Sequence, residues 1–294
     1  MGRICAECER DPPRSSYTAN QFSKRAGISR CASCVHGHHA DTPTAIQSDS
    51  GRYNVSSGVS FTDEAMRYPF GEGGFRWVAK GKYTRGERAG QAGVCRWFKS
   101  GETFEADYFI LDIKAVNKAL DIVNKFNQLG IVDKAVKINV PAVWTCSDDS
   151  NEWTGNKALI EPFIQNYQKF NSNTGWNDVS CDWAFVMQAL SHFSYHISGG
   201  NYVLCDLQGG IYRHEIVLSD PVILSRTREY GVTDLGRDGI SSFFSEHDCN
   251  GFCRPHWRKP ANTYPYFDPV PGTSMMRLDV PTAMSKPRNT RFYY

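Results

Sequence analysis

The chain has 294 residues, of which 40% are hydrophobic and 22% are charged, with a formal net charge of +2. This composition excludes a disordered chain, and so small a net charge gives no argument for nucleic acid or a membrane as partner. No apolar run reaches the about 18 residues of a membrane helix, and the first residues lack the apolar core of a secretion signal, so we expect a cytoplasmic or nuclear protein.

Four cysteines near the start of the chain form two CxxC pairs. Cys5 and Cys8 are separated by 22 residues from Cys31 and Cys34. Two such pairs can close a tetrahedral Zn²⁺ shell, and clustered thiols in a reducing compartment bind metal more often than they form disulfides. We therefore predict a zinc-finger module over residues 1–40, in preference to unrelated thiols or a redox site.

The same stretch resembles, in the pattern CxxC…PRSxYTxNQFSK…RCxxCV, a small zinc-finger domain of fungal heterochromatin adaptor proteins. The resemblance implies that the module docks a protein partner. Nucleic-acid binding stays open as the weaker alternative, because a four-thiolate zinc site offsets most of the positive charge around it. A polar stretch without periodicity, residues 41–53, follows and is expected to be a linker.

Residues 54–258 show the alternation of strand and helix patterns that is typical of a mixed α/β domain. In chain order the predicted elements are strands at 74–82 and 92–99, a helix at 105–129, strands at 136–145 and 157–163, a helix at 180–194, a strand at 202–206, a β-rich piece at 211–218 and a helix at 237–247. A strand-rich first half and a second half of helices and strands predict two lobes with a cleft between them.

The helix at 105–129 has the clearest periodicity. One face collects its apolar residues, and Gly130 follows as a helix terminator. The residues on this face are Val116, Ala119, Leu120, Val123 and Phe126. We expect that face to be buried.

A second group of metal-ligand types lies at the end of the last predicted helix. His247, Cys249 and Cys253 fall within seven residues, which is one ligand short of a closed tetrahedral site. His192 is the best fourth candidate because it lies on an otherwise apolar helix. A histidine in that position is also consistent with a hydrogen-bonded core residue.

The string ALSHFSY…YVLCDLQG…LSDPVI…GVTDLGRDGISSFFSEHDCNGFC closely resembles the alpha-kinases, which include myosin heavy chain kinases, elongation-factor kinases and channel-linked kinases. The resemblance spans roughly residues 60–255. It implies an α+β, two-lobed atypical kinase fold. It also implies a structural zinc in the C-terminal lobe, held by His192, His247, Cys249 and Cys253, so that two zinc sites are expected in the chain.

The resemblance further implies transfer of the γ-phosphoryl group of ATP to serine or threonine of a protein substrate, with Mg²⁺. It makes Gln208 a Mg²⁺ ligand, places Asp206 in the phosphate pocket, and makes Asp220 both a Mg²⁺ ligand and the residue that assists the attacking hydroxyl. From the residues alone, Asp206 at the end of a buried strand is equally consistent with a turn cap. The connection between the two aspartates, GGIYRHEIVL, is longer than in the family and is expected to extend a hairpin loop.

Three further residues are implied to bind the nucleotide. Glu161 matches the segment that contacts adenine, with a solvated strand end as the alternative, and Arg76 matches a phosphate-contacting arginine. Arg96 stands where the family has the lysine that holds the α- and β-phosphates. Arginine is larger, planar and always charged, so this exchange keeps open a second interpretation, a catalytically weak pseudokinase that acts as a zinc-finger adaptor.

Residues 259–294 are rich in Pro, Thr and Arg and are expected to have little regular structure. We expect this tail to pack a few aromatic side chains, Tyr264, Tyr266 and Phe267, on the C-terminal lobe. The alternative is an autophosphorylated segment that docks into a basic pocket.

Overall fold

The structure is a computed structural model of the chain. It describes residue 29 and residues 58–72, 76–86, 88–98, 105–147, 153–155 and 157–276, with only the backbone for 98 and 105–109. The four N-terminal cysteines, the predicted linker at 41–53 and the last part of the tail lie outside the described residues. The zinc-finger module therefore stays a prediction.

The described elements follow the predicted alternation of strands and helices. In chain order they are β1 (Val59–Ser60), α1 (Asp63–Arg67), β2 (Gly71–Glu72), β3 (Arg76–Tyr83), β4 (Ala92–Phe98), α2 (Glu105–Gln128), β5 (Ala135–Ile138), β6 (Ala142–Thr145), β7 (Lys157–Pro162), β8 (Gln168–Lys169), α3 (Asp182–Ile197), β9 (Tyr202–Cys205), β10 (Gln208–Ile211), β11 (Glu215–Leu218), β12 (Val222–Ser225) and α4 (Gly236–Glu246). None of the described helices is both long and apolar enough to cross a membrane.

The first lobe is an antiparallel sheet in the order β1-β3-β4-β7-β6, with β2 on the free side of part of β3. Its central strand, β4, pairs on both edges, so that Arg96 lies opposite Val78 on β3 and Leu159 on β7. One face buries a small apolar cluster built from Met66, Ala79, Tyr83, Cys95, Ala158 and Ile160. The sheet thereby holds the side chains of β3 and β4 at fixed positions above the cleft.

The second lobe is built around α2 and α3. All five residues of the predicted apolar face of α2 are buried, which confirms the periodicity argument. Gly130 lies just beyond the helix with φ of +58°, a left-handed conformation that glycine adopts without strain. Helix α2 packs on β5 and β12, and the large core that it shares with α3 includes Phe126, Leu190 and Phe193.

Two small sheets complete this lobe. One has the order β5-β11-β10-β8, in which β5 and β11 are parallel, and the other is the antiparallel pair β12-β9. The hairpin of β10 and β11 pairs Gly209 with Leu218 and Ile211 with Ile216, which confirms the expected hairpin after Asp206. This hairpin joins the two aspartates that the sequence singled out.

The single strand predicted at 136–145 is wrong. The structure has two strands there, β5 in the second lobe and β6 in the first. Pro141 lacks the N–H that a continuous ladder needs. Asn139 instead donates from its side-chain Nδ2 to the carbonyl oxygen of Pro162 at 3.0 Å. The backbone N–H of Asn139 donates to the carbonyl oxygen of Leu218 at 2.7 Å. The chain therefore crosses between the lobes at this break.

The tail has no helix or strand in its described part, as expected, but its aromatic residues pack differently. Phe267 contacts the core of the second lobe, whereas Tyr264 and Tyr266 are 62% and 56% exposed. Their backbone N–H groups donate to the hydroxyls of Ser241 and Ser242, and the two tyrosine rings contact each other edge to face instead of entering the core. The prediction of three packed aromatics is correct for Phe267 alone.

Candidate active site and metal centre

A cavity of about 560 Å³ lies between the two lobes. Its first-lobe wall carries the side chains that project from β3 and β4, and its floor is made by the turns that follow β9 and β11. The lining includes Arg76, Val78, Arg96, Asp112, Glu161, Asp206, Gln208, Asp220, Thr273 and Met275. The six catalytic and nucleotide-binding residues expected from the sequence therefore come together in one cleft.

The two aspartates of the floor share an unusual backbone conformation. Asp206 directly follows β9 with φ of +59°, and Asp220 lies between β11 and β12 with φ of +55°. Few residues other than glycine adopt this left-handed region, and aspartate is among the more tolerant. Such conformations concentrate at functional sites, where the surrounding structure enforces them. Here both conformations aim a carboxylate into the same cleft.

Asp206 is 1% exposed and has three polar neighbours. Lys169 forms an ion pair with it at 2.7 Å, the hydroxyl of Thr273 donates to Oδ2 at 2.7 Å, and the amide of Gln208 donates to Oδ2 at 3.4 Å. Burial raises the pKa of this carboxyl, while Lys169 and Thr273 act in the opposite direction. Asp206 is therefore more than a turn cap, because its carboxylate is the centre of a polar network.

Asp220 keeps 46% of its side chain exposed to the cleft. Two guanidinium groups contact it, Arg96 at 2.9 Å and Arg76 at 3.4 Å. Burial raises the pKa of Asp220, but the two arginines outweigh it and hold the pKa below its usual value. The carboxylate is thus ionised at neutral pH and accessible from the cavity.

Arg96 and Glu161 form a buried pair above the floor. They are 8% and 3% exposed, and a guanidinium nitrogen of Arg96 donates both to the Glu161 carboxylate and to the Ser219 hydroxyl. Since Arg96 also contacts Asp220, its charge is shared between two carboxylates. The carboxylate of Glu161 is hydrogen-bonded to Arg96 and Ser219. The contact of Glu161 with adenine stays a prediction.

Arg76 brings Asp112 into the site. The guanidinium of Arg76 is ion-paired with Asp112 on α2, and burial raises the pKa of that carboxyl to about 6. The sequence analysis missed Asp112, although a signal was present. Asp112 lies four residues before Val116 and seven before Ala119, so it places a charge on the apolar face of the helix.

The acidic floor has the donor chemistry of a magnesium site. Mg²⁺ binds carboxylate and other oxygen ligands, and Asp206, Gln208 and Asp220 supply two carboxylates and an amide oxygen around one cavity. The residues present therefore fit the ion that the resemblance implies. Lys169, which was not predicted from the sequence, adds a cation to this floor through its pair with Asp206.

The second site lies between α3 and the segment that follows α4, and it is called here the His/Cys cluster. It consists of His192, His247, Cys249 and Cys253, whose ligand atoms all lie within 4.8 Å of one another. His192 Nδ1 is 3.3 Å from His247 Nε2 and 3.5 Å from Cys249 Sγ, and both sulfurs lie 3.8 Å from His247 Nε2. The structure thus brings all four predicted ligands together.

These distances match a tetrahedral metal shell. Zinc bonds of about 2.05 Å to nitrogen and about 2.3 Å to sulfur separate two nitrogens by about 3.3 Å and nitrogen from sulfur by about 3.6 Å. The other ring nitrogen of His192, Nε2, lies 3.1 Å from the carbonyl oxygen of Arg258. A proton on Nε2 makes that contact a hydrogen bond and leaves Nδ1 free to bind metal.

The protonation of the two imidazoles suits metal binding. Burial lowers the pKa of His192 to about 4 and that of His247 to about 3, so both rings are neutral at neutral pH. Burial raises the pKa of the Cys253 thiol to about 11, so a bound cation is needed to hold it as a thiolate. The four side chains of the cluster can fill all four positions of a tetrahedral shell, which leaves no coordination position for a substrate.

Comparison with solved structures shows the same fold. The alpha-kinase domain of myosin heavy chain kinase A, in a complex with AMP, superposes with a TM-score of 0.54 over 64% of this chain and 86% of that one, at 24% identity. An alpha-kinase from Entamoeba histolytica gives a TM-score of 0.55 over 71% of this chain and 82% of that one, at 21% identity.

Curated relatives are similar over shorter stretches. Alpha-protein kinase vwkA of Dictyostelium discoideum is 38% identical over 99 residues, which is 32% of this chain and 15% of the relative. Alpha-protein kinase 1 of the same organism is 33% identical over 190 residues, which is 63% of this chain and 13% of the relative. The chain thus spans less than a sixth of the length of these relatives. The model of the alpha-kinase family matches residues 71–253, more than half of the chain, and the chain belongs to the alpha-kinase family.

Proposed function

We propose that the chain is an ATP-dependent protein kinase that phosphorylates serine or threonine on a protein substrate. The observation that carries the proposal is the cleft floor, where Asp206 and Asp220, both in left-handed backbone conformations, face the same cavity as Gln208. Phosphoryl transfer needs positioning and charge stabilisation more than covalent help from the protein, and this arrangement supplies carboxylates beside cations.

Each group has a role in that proposal. Asp220 accepts the proton of the attacking hydroxyl, because it is ionised and is the most accessible of the cleft carboxylates that contact arginine. Asp206 and Gln208 hold Mg²⁺ together with Asp220, and the ion supplies charge neutralisation for the phosphates. Arg76 and Arg96 donate to phosphate oxygens from the first lobe.

The charge balance of the cleft supports the use of Mg²⁺. Three cations are ion-paired with four carboxylates in and beside the cleft, namely Arg76, Arg96, Lys169, Asp112, Glu161, Asp206 and Asp220. Their formal sum is −1, so the wall by itself does not attract a polyanionic triphosphate. A divalent cation that binds with the nucleotide reverses that balance.

We also propose that the His/Cys cluster holds a structural Zn²⁺ and that Cys5, Cys8, Cys31 and Cys34 hold a second one in a module that docks a protein partner. The distances within the cluster support the first site, and the CxxC spacing supports the second. Metal analysis of the purified chain is expected to give two zinc ions per molecule, and one in a Cys5→Ser and Cys8→Ser variant. A value of one in the unmodified chain would contradict the N-terminal site.

A specific observation favours the pseudokinase alternative. Arg96 is engaged by both Glu161 and Asp220, so its charge is already compensated before a nucleotide arrives. A lysine at this position has one ammonium group and would satisfy fewer partners at once. If Arg96 does not release either carboxylate, the cleft binds nucleotide only weakly and transfers phosphate slowly.

The deciding experiment is phosphate transfer from labelled ATP with Mg²⁺, to the chain itself and to a generic basic protein, with Asp220→Ala as the control. Transfer that disappears in the control supports the kinase. No transfer, with a melting temperature that ATP still raises, supports the pseudokinase. If ATP does neither, the proposed nucleotide site is wrong.

A further inference from the structure

A short stretch of the tail crosses the cleft. This stretch, residues 270–276, is called the cleft strap, and its backbone is held at three points. The N–H of Val270 donates to the hydroxyl of Thr174 at 3.1 Å, and the N–H of Met276 donates to the carbonyl oxygen of Val232 at 2.8 Å. Between them, Ser274 is clamped through both its N–H and its carbonyl group.

The clamp on Ser274 is the side-chain amide of Asn173. The N–H of Ser274 donates to Asn173 Oδ1 at 2.9 Å, and Asn173 Nδ2 donates to the Ser274 carbonyl oxygen at 2.7 Å. Asn173 is fully buried, and its Nδ2 also donates to the carbonyl oxygen of Thr233 at 2.9 Å, which fixes the amide in place. A buried, oriented amide of this kind holds the backbone of an extended peptide.

These contacts involve the backbone of the strap, and two of its side chains are presented to the cleft. Thr273 and Met275 both line the cavity that contains Asp206, Gln208 and Asp220. The hydroxyl of Thr273 donates to Asp206 at 2.7 Å and lies 3.3 Å from the ammonium group of Lys169. The strap thus holds a threonine hydroxyl, the acceptor type of the proposed reaction, on the carboxylate floor.

We infer that Thr273 is a phosphorylation site of the chain's own active site and that the strap is seated as an intramolecular peptide substrate. The inference rests on the proposed kinase function. In the transfer, the Thr273 oxygen bonds to the γ-phosphorus of ATP, and the bond from that phosphorus to the β–γ bridging oxygen breaks. ADP leaves with the bridging oxygen, and the hydroxyl proton passes to Asp220, the proton acceptor of the proposed function, which lines the same cavity as Thr273.

The seated strap also has a consequence for other substrates. While Asn173 clamps Ser274, the same amide cannot hold the backbone of a second peptide. An external protein substrate therefore competes with the strap for one position. Removal of the Thr273 hydroxyl deletes the contact with Asp206, so transfer to an external peptide should rise several-fold in a Thr273→Ala variant.

The test uses the full chain with labelled ATP and Mg²⁺, followed by site mapping by mass spectrometry. Phosphate is expected on Thr273 in the unmodified chain and in a Thr263→Ala variant, a matched control in which an exposed tail threonine ten residues earlier is removed. It is expected to be absent in Thr273→Ala and in Asp220→Ala. The rate per molecule should be unchanged on dilution, since the reaction is intramolecular.

Two outcomes separate this inference from the proposed function. Transfer to a basic protein without phosphate on Thr273 overturns the inference and leaves the kinase standing. A rate of Thr273 labelling that falls in proportion to concentration also overturns it, because the acceptor is then another molecule. Absence of transfer to any acceptor overturns both.

Discussion

Breaking the buried pair of Arg96 and Glu161 should reduce stability strongly when one partner is removed and much less when both are. An Arg96→Met substitution leaves the Glu161 carboxylate, 3% exposed, without its guanidinium. An unpaired buried charge of this kind lowers the free energy of unfolding by about 3–5 kcal/mol. For a domain of this size that corresponds to a melting temperature lower by roughly 6–20 °C.

The assay is a double-mutant cycle followed by urea unfolding. Arg96→Met, Glu161→Leu and the double variant are compared, and the coupling free energy between the two sites is expected to be about 2–3 kcal/mol. Lys125→Met serves as the matched control, because Lys125 forms an exposed ion pair with Asp121 that is worth about 0.3–0.5 kcal/mol. A double variant that loses the sum of the two single losses would refute the assignment of a buried, interdependent pair.

Three further predictions concern the second lobe. Removal of metal from the His/Cys cluster with a chelator should lower the melting temperature by at least 5 °C, which corresponds to a loss on the order of 2 kcal/mol in the free energy of unfolding, and added zinc should restore it. An unchanged melting curve after verified metal removal would contradict a structural site. In the metal-free chain, His192 and His247 have folded pKa values below the unfolded value, so the unfolded metal-free chain binds more protons between pH 6.5 and pH 4. The free energy of unfolding of the metal-free chain should therefore fall as pH falls through that window, by up to about 1.4 kcal/mol per pH unit for each ring. Replacement of the exposed His214 by glutamine should leave that dependence unchanged, and a flat profile in the metal-free chain would argue against the buried neutral rings. Gly209→Ala should destabilise the β10–β11 hairpin by about 1–3 kcal/mol, because its Cβ would fall on a facing backbone carbonyl, whereas Gly251→Ala, which meets nothing within 4 Å, should have little effect in the same thermal unfolding assay.

Periodicity predicted the long helices well because burial dictates their pattern. The apolar face of α2 and its end near Gly130 follow from local signals that survive in the folded chain. The prediction of a single strand at 136–145 failed because β5 and β6 join different sheets. Pairing partners are a long-range property that a local pattern does not contain. The proline inside that stretch was the available signal, since it interrupts a ladder.

For the site, the sequence identified the residues whose type is chemically conspicuous. It missed Lys169 and Thr273, which meet at Asp206 although Thr273 is 67 residues away from it along the chain. No local pattern brings a tail threonine to the end of β9. The left-handed backbone of Asp206 and Asp220 was equally invisible, because aspartate occupies ordinary turns far more often than strained ones.

If the cleft strap is the proposed intramolecular substrate, substrate choice becomes a matter of local concentration. The chain continues from Cys253 of the His/Cys cluster into the tail, and the carbonyl oxygen of Arg258 contacts His192. From these points the chain extends to Thr273, which contacts Asp206. A group tethered through a short segment is present at an effective concentration in the millimolar range. A dissolved peptide at micromolar concentration therefore competes at a disadvantage of about a thousandfold, unless it binds more tightly or the tether is loosened. If the His/Cys cluster holds the proposed zinc, loss of the metal would loosen that tether and so change which of the proposed substrates reach the cleft.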